Sequence, residues 1–236
     1  MNALLVRVAA DCSKVGGLWN GPVDGRSGEF AYVPIPESLP VHSGLEKPYS
    51  ALAPALERFR VELPARLRGS NMHLDPDFEH LTYGDTRQRA RQLQENVCSG
   101  GMIVFYAGLA DTSGNARLVY AIIGAFVVDR FEPAAAVSVD HRDINAHSRR
   151  VLAPDAEDLI VRARPTVSGR LKRCLPIGEF RDGAYRVRRD LLDEWGGLSV
   201  KNGYIQRSAR LPRFLDPERF LRWLEAQGPS LMQANN

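Results

Sequence analysis

Two apolar runs dominate the pattern of the chain. "MIVFYAGL", Met102 to Leu109, and "RLVYAIIGAFVVDRF", Arg117 to Phe131, flank the turn-rich "ADTSGNA". Two β-rich arms joined by turn residues predict a long hairpin. Apolar side chains at both odd and even positions predict that it lies centrally in a sheet, covered on both faces. "ALLVRVAA", Ala3 to Ala10, has the same density and predicts a first strand. "FAYVPIP", Phe30 to Pro36, is expected to be extended, because each proline biases the residue before it toward β or polyproline geometry.

Helical spacing appears in four places. A helix from Asp85 or Thr86 to about Val97 puts Ala90, Leu93 and Val97 on one face. "SALAPALERFRVEL" repeats Leu52, Leu56 and Phe59, with Pro54 tolerable in a first turn. "RRDLLDEWGG" predicts a short helix from Asp190, ended by Gly196 and Gly197. "DPERFLRWLEAQG" supplies Asp216 as N-cap, Pro217 at the first helical position and Gly228 as the stop. The apolar face is Phe220, Leu221, Trp223 and Leu224. Strands and helices mix without a βαβ rhythm. The expected fold is therefore α+β: a single mixed or antiparallel sheet flanked by helices, with a C-terminal helix. Residues 1–228 are read as one domain with a soft boundary near 133–140, and residues 229–236 as a frayed tail.

Composition adds little to this picture: 44% of the 236 residues are hydrophobic and 25% charged, as in ordinary globular proteins. No apolar run approaches the roughly 18 residues that span a membrane. The three cysteines are widely spaced and form no CxxC pair, which argues against a disulfide framework or a structural zinc site. A reducing cytoplasm is the expected setting. Charge matters more, because residues 141–215 carry sixteen basic and nine acidic side chains, fourteen of the basic ones arginine. Arginine grips phosphate bidentately, so a nucleotide or polyanion partner suits this segment, as does a simply solvated arginine-rich surface.

"HLDPDFEHLTYGD", residues 73 to 85, is the densest chemical stretch. His73, Asp75, Asp77 and His80 are all metal-capable, and His-x-Asp is one part of a two-histidine-one-carboxylate iron site. His141 or His147 would supply the second imidazole, and Arg149 or Arg150 would hold an oxoacid cosubstrate. Asp-Pro is equally a turn former, and the reading taken forward assigns no metal and names no cofactor. In "TYGDTRQ" the glycine is read as allowing a sharp turn before a helix whose N-terminus can receive an anion. "HRDINAHSRR", residues 141 to 150, has the wrong spacing for a kinase catalytic loop and reads either as a polar cluster suited to a base edge and a phosphate or as a hydrophilic loop after a strand. "SGRLKRCLPIG" reads as an anion nest on Ser168, Gly169 and Arg170. The Walker, GxGxxG and GxSxG patterns do not occur.

Several segments together resemble a known family. They are "LLVRVAADCS" with Asp11, "FAYVPIPES", "HLDPDFEHLTYGD", "GGMIVFYAGL", "YAIIGAFVVD", "SGRLKRCLPIG" and "GYIQRSAR". In this order, from about residue 3 to 225, they are similar to the nucleotide-modification-associated domain of the third type. The resemblance implies a role in a prokaryotic or phage DNA-modification system, beside partner enzymes that make hypermodified bases. It marks Asp11, His73, Asp75, Pro76, Tyr83, Gly84 and Asp85 as signature positions, with His147, Arg149, Ser168, Arg170 and Gln206 as further polar ones.

The expected partner is a nucleotide or DNA rather than a membrane. The catalytic candidates are Asp75, Asp85, His73, Tyr83 and His147, with a carboxylate as base and an imidazole as acid. The nucleotide- or phosphate-binding candidates are Asp11, Arg149, Arg150, Ser168, Arg170 and Gln206. Whether the chain is an enzyme is left open. One alternative is a non-catalytic reader stacking a base among Tyr83, Phe105 and Tyr106. Another is an oxygenase of the iron and 2-oxoglutarate type, and a third is an interaction scaffold.

Overall fold

A computed structural model describes residues 1–12, 19–114, 118–206 and 210–236. The first half contains β1 (Ala3–Arg7), β2 (Pro22–Val23), β3 (Ile35–Pro36), α1 (Ala53–Glu57), β4 (Met72–His73), β5 (Thr82–Thr86), α2 (Arg87–Asn96) and β6 (Met102–Asp111). The second contains β7 (Leu118–Pro133), α3 (Ala146–Arg149), β8 (Asp158–Ala163), β9 (Gly169–Pro176), β10 (Gly178–Arg181), β11 (Ala184–Val187), α4 (Arg189–Glu194), α5 (Pro217–Ala226) and β12 (Leu231–Met232). Among the described residues no helix is long and apolar enough to cross a membrane.

The fold is α+β, built on an eight-stranded mixed sheet with the main order β1-β6-β7-β8-β5. The strands β1 and β2 run parallel to β6, whereas β6 and β7 form the expected antiparallel hairpin. The long β7 serves two partners on its other side. Ala121 to Ala125 pair with β9, and Val128 to Pro133 pair with β8. Alternating residues of β1 and β6 feed opposite cores. Leu4, Val6, Ile103 and Phe105 join one cluster, while Leu5, Val104 and Tyr106 join another with Trp195, Phe220 and Trp223. This double cover explains why both arms lack an alternating polar face.

The C-terminal helix starts as its sequence dictates, with Asp216 accepting from the Arg219 amide and Pro217 in the first turn. The helix expected over "SALAPALERFRVEL" is much shorter. It stops at Glu57, and Arg60 turns the chain in the left-handed region at φ 54°. Residues 229–236, expected to be frayed, pack back onto the fold. The strand β12 pairs with β9, and the Asn235 side chain accepts from the Phe78 amide while Asn236 bonds both polar groups of the Tyr32 backbone. Satisfying backbone groups of two other segments holds a tail that composition alone would leave loose. Residues 133–140 leave β7 through short 3-10 turns. Ala134, Val137 and Ile144 pack there against Ile160 of β8.

"SGRLKRCLPIG" is likewise a correction, because Gly169 to Pro176 form a strand of the main sheet rather than an anion nest. "HRDINAHSRR" is not a solvated loop either. It folds through a 3-10 turn into α3, whose four residues are all buried.

A buried cluster of two histidines and an aspartate

Three segments far apart in sequence meet beside β5. His73 stands on β4, which is fixed by pairing Ile35 with His73. Asp75 follows, joined to Pro76 by a cis peptide bond. His147 lies on α3, whose N-cap Asn145 accepts from the His147 amide. The rings of His73 and His147 meet edge-on, with centroids 4.9 Å apart. One ligand-capable atom from each of His73, Asp75 and His147 lies within 4.8 Å of the others.

Gly84 makes this convergence sterically feasible. It is not the sharp turn expected from "TYGDTRQ" but an interior residue of β5, paired with Ile160. A Cβ there would stand 2.2 Å from His147 Cδ2 and 2.8 Å from Asn145 Oδ1. Only glycine lets the imidazole lie against the strand. The Gly84 amide in turn donates to Asp75 Oδ1 at 2.8 Å, and Asn145 Nδ2 donates to the same oxygen at 2.8 Å. That oxygen is spent. The other, Oδ2, lies 3.9 Å from His147 Nε2, too far for a hydrogen bond.

Each imidazole is held from behind by a carboxylate. Glu37 Oε2 is 2.7 Å from His73 Nδ1, and Asp158 Oδ1 is 2.5 Å from His147 Nδ1. Arg150 ties the two carboxylates together: Nη2 donates to Glu37 Oε1 at 2.8 Å, and Nη1 lies 3.6 Å from Asp158 Oδ1. Arg150 Nη2 also sits 3.0 Å from His73 Nδ1. That nitrogen cannot both donate to Glu37 and accept from Arg150. Burial would raise Glu37, but its hydrogen bonds from His73 and Arg150 prevail and hold it at about 2. An ionised carboxylate at 2.7 Å requires a proton on Nδ1. In both rings, then, Nε2 is the uncommitted nitrogen.

The electrostatics follow from burial. Desolvation pushes His73 down to about 4 against the opposing pull of Glu37, so the ring is neutral at pH 7. Desolvation also lifts Asp75 to about 7, although His147, Asn145 and the Gly84 amide oppose it. Side-chain exposures of 8%, 5% and 5% for His73, Asp75 and His147 leave the cluster nearly closed to solvent in this conformation.

Asp77, two residues on, is fully enclosed and fully used. It takes Arg149 Nη2 at 2.6 Å, the His80 ring at 3.1 Å and Asn235 Nδ2 at 3.1 Å, together with the amides of Glu79 and His80. Those bonds outweigh burial and keep Asp77 below the ordinary carboxylate range, while the bond to Asp77 raises His80. Arg149 also reaches Asp143 through its side-chain Oδ1 and its carbonyl.

The remaining candidates are distributed as follows. Tyr83 donates to Asp85 at 2.7 Å, and Arg89 binds both, forming a closed network behind β5. Arg149 and Arg150 turn their donors to the protein's own carboxylates. Asp11 and Gln206 lie elsewhere, around Arg7 and Tyr120: Arg7 pairs with Asp11 at 2.7 Å, and Gln206 bonds the Tyr120 hydroxyl. The Ser168 hydroxyl accepts from the Val127 amide, and Arg170 is buried over the Phe30 ring, bonded to the Ala234 carbonyl. The aromatic trio imagined for a reader is core: Tyr83, Phe105 and Tyr106 are all buried, with Phe105 and Tyr83 packed ring to ring. They offer no open face to a base. Glu37 and Asp158 escaped sequence reasoning because each sits in an unremarkable acidic context; only the fold brings them behind a histidine.

The family model described as nucleotide modification associated domain 3 matches residues 2–226. No curated protein and no solved structure shows significant similarity to the chain.

Proposed function

Since the chain belongs to the nucleotide modification associated domain 3 family, we propose that it is an enzyme of nucleotide or DNA-base modification whose reaction centre is the His73–Asp75–His147 cluster. One observation carries the reading: Asp75 Oδ2 and the Nε2 of His147, 3.9 Å apart, have no hydrogen bond among the described residues, while the opposite side of each group is fixed. A module that only recognises bases has no use for reactive atoms oriented this way. An enzyme does, because an atom seated against both is held in one geometry and exchanges protons with them.

In this reading Glu37, Asp158 and Arg150 are positioning residues. They fix ring orientation and tautomer and leave phosphate contacts to other cations. Arg87, exposed at the head of α2 beside the Thr86–Asp158 contact, is one such cation. Tyr83 and Asp85 support β5 from behind. The substrate base meets the cluster at its rim, since the cluster itself admits only a small species.

The test is to incubate the full chain with nucleoside mono- and triphosphates and with DNA, then analyse the nucleosides by mass spectrometry. The expected outcome is a new or consumed nucleoside, lost in Asp75→Asn and in His147→Gln, both checked for folding by circular dichroism. Unchanged nucleosides, together with a melting midpoint that no nucleotide or DNA raises, would overturn the reading.

A further inference from the structure

We infer that His73, Asp75 and His147 form a three-ligand site for one divalent first-row transition ion, Fe²⁺ or Zn²⁺, with coordination positions left open to water or substrate. The inference deepens the enzymatic reading, resting on the same cluster as the working centre, and it departs from the reading of the sequence that assigned no metal.

Four observations point the same way. First, one ligand-capable atom from each residue lies within 4.8 Å of the others, a spacing that a modest inward shift closes onto an ion. Second, the donor set is two imidazoles and one carboxylate. Imidazole suits iron and zinc rather than calcium or magnesium, and the three cysteines do not enter the cluster. Third, a carboxylate stands at Nδ1 of each histidine, Glu37 at 2.7 Å and Asp158 at 2.5 Å, and leaves Nε2 as the nitrogen open to a ligand bond. Histidines that ligate metals are almost always held this way, which fixes the ring and raises its basicity. One such carboxylate behind a histidine is commonplace; one behind each of two histidines that share an aspartate is not. Fourth, Asp75 is anchored through Oδ1 alone, by the Gly84 amide and Asn145, and keeps Oδ2 for the cluster. A buried carboxylate with one oxygen spent and the other 3.9 Å from an imidazole nitrogen, too far to hydrogen-bond it, is a poor structural arrangement and a good ligand.

Three protein ligands are the number of catalytic rather than structural centres, whose remaining positions take solvent or substrate. The chemical gain is direct: a bound cation acidifies a coordinated water or polarises a substrate oxygen.

The test reads metal directly, with no substrate present. Chelator-stripped full-length protein is loaded anaerobically with Fe²⁺, and separately with Zn²⁺ and with Co²⁺ as a spectroscopic probe. Bound metal is then counted by elemental mass spectrometry and affinity measured by competition with a chromogenic chelator. The expected result is one ion per chain, a higher melting midpoint on loading, and a Co²⁺ visible spectrum typical of nitrogen and oxygen ligands. His147→Gln and Asp75→Asn abolish all three. Glu37→Gln and Asp158→Asn, which leave every ligand in place, weaken binding by roughly 10- to 100-fold, whereas His141→Ala leaves it unchanged. If His147→Gln fails to fold, the Glu37→Gln series decides. Less than stoichiometric metal in the wild type, or affinity unmoved by both Asp75→Asn and Glu37→Gln, would sink the inference. Metal bound without nucleotide turnover leaves this site standing and removes the enzymatic reading; turnover by stripped protein does the reverse.

Discussion

Asp75 and Asp77 are two residues apart and both buried, yet they live in opposite chemistry. Asp77 is saturated: an arginine, a histidine, an asparagine and two amides close around it. Asp75 is half-used, with one oxygen anchored and the other 3.9 Å from the His147 imidazole. Their acidities diverge accordingly, Asp77 held down and Asp75 pushed up to about 7. Burial depth therefore does not distinguish a saturated carboxylate from a half-used one. What distinguishes them is whether the hydrogen-bonding capacity is spent.

The comparison is sharpest when both residues receive the same substitution. Asp77→Asn takes from the Arg149 guanidinium its buried carboxylate partner, leaving it the more exposed Asp143, while one of its nitrogens, Nη1, already lacks a partner. Urea unfolding should show a loss of roughly 3–5 kcal/mol, as when one member of a buried ion pair is removed. Deleting residues 229–236 attacks the same region from the tail. It removes the Asn235 bonds to Asp77 and Phe78 and the Asn236 bonds to Tyr32. At about 1 kcal/mol for each net hydrogen bond, the expected loss is roughly 2–4 kcal/mol. Gly84→Ala tests the Asp75 side. Its Cβ collides with His147, so a loss of about 1–3 kcal/mol in the same assay should accompany loss of the cluster's metal affinity. Asp75→Asn should change stability least, within about 1 kcal/mol of wild type or slightly above it, because it removes an uncompensated buried charge. A large destabilisation by Asp75→Asn, matching that of Asp77→Asn, would erase the distinction.

How much of this was legible beforehand depended on range. The β6–β7 hairpin and the α5 helix were readable because their causes are local: a doubly apolar run in one, Asp216-Pro217 and Gly228 in the other. Helix α1 was overestimated because apolar spacing says nothing of the left-handed turn at Arg60. Strands β8 to β11 were missed: their polar and arginine-bearing positions, as in "GRLKRCLP", hide the β pattern. At the site, His-x-Asp and the later His147 were visible as separate letters. Their meeting was not, since Asn145 reaches Asp75 across 70 positions of sequence and Glu37 reaches Arg150 across 113. Gly84 was noticed for the wrong reason. A glycine flanked by Tyr and Asp suggests a bend, and nothing in the sequence says that a ring will lie on it.

The span of Arg150 has a consequence for how this chain can vary. A single planar fork touches both Glu37 and Asp158, something the point charge of a lysine cannot reproduce. Positions 37, 150 and 158 are thus a heritable unit. A library randomised at all three should return survivors in matched combinations, and a change at any one alone should disappear from the selected pool.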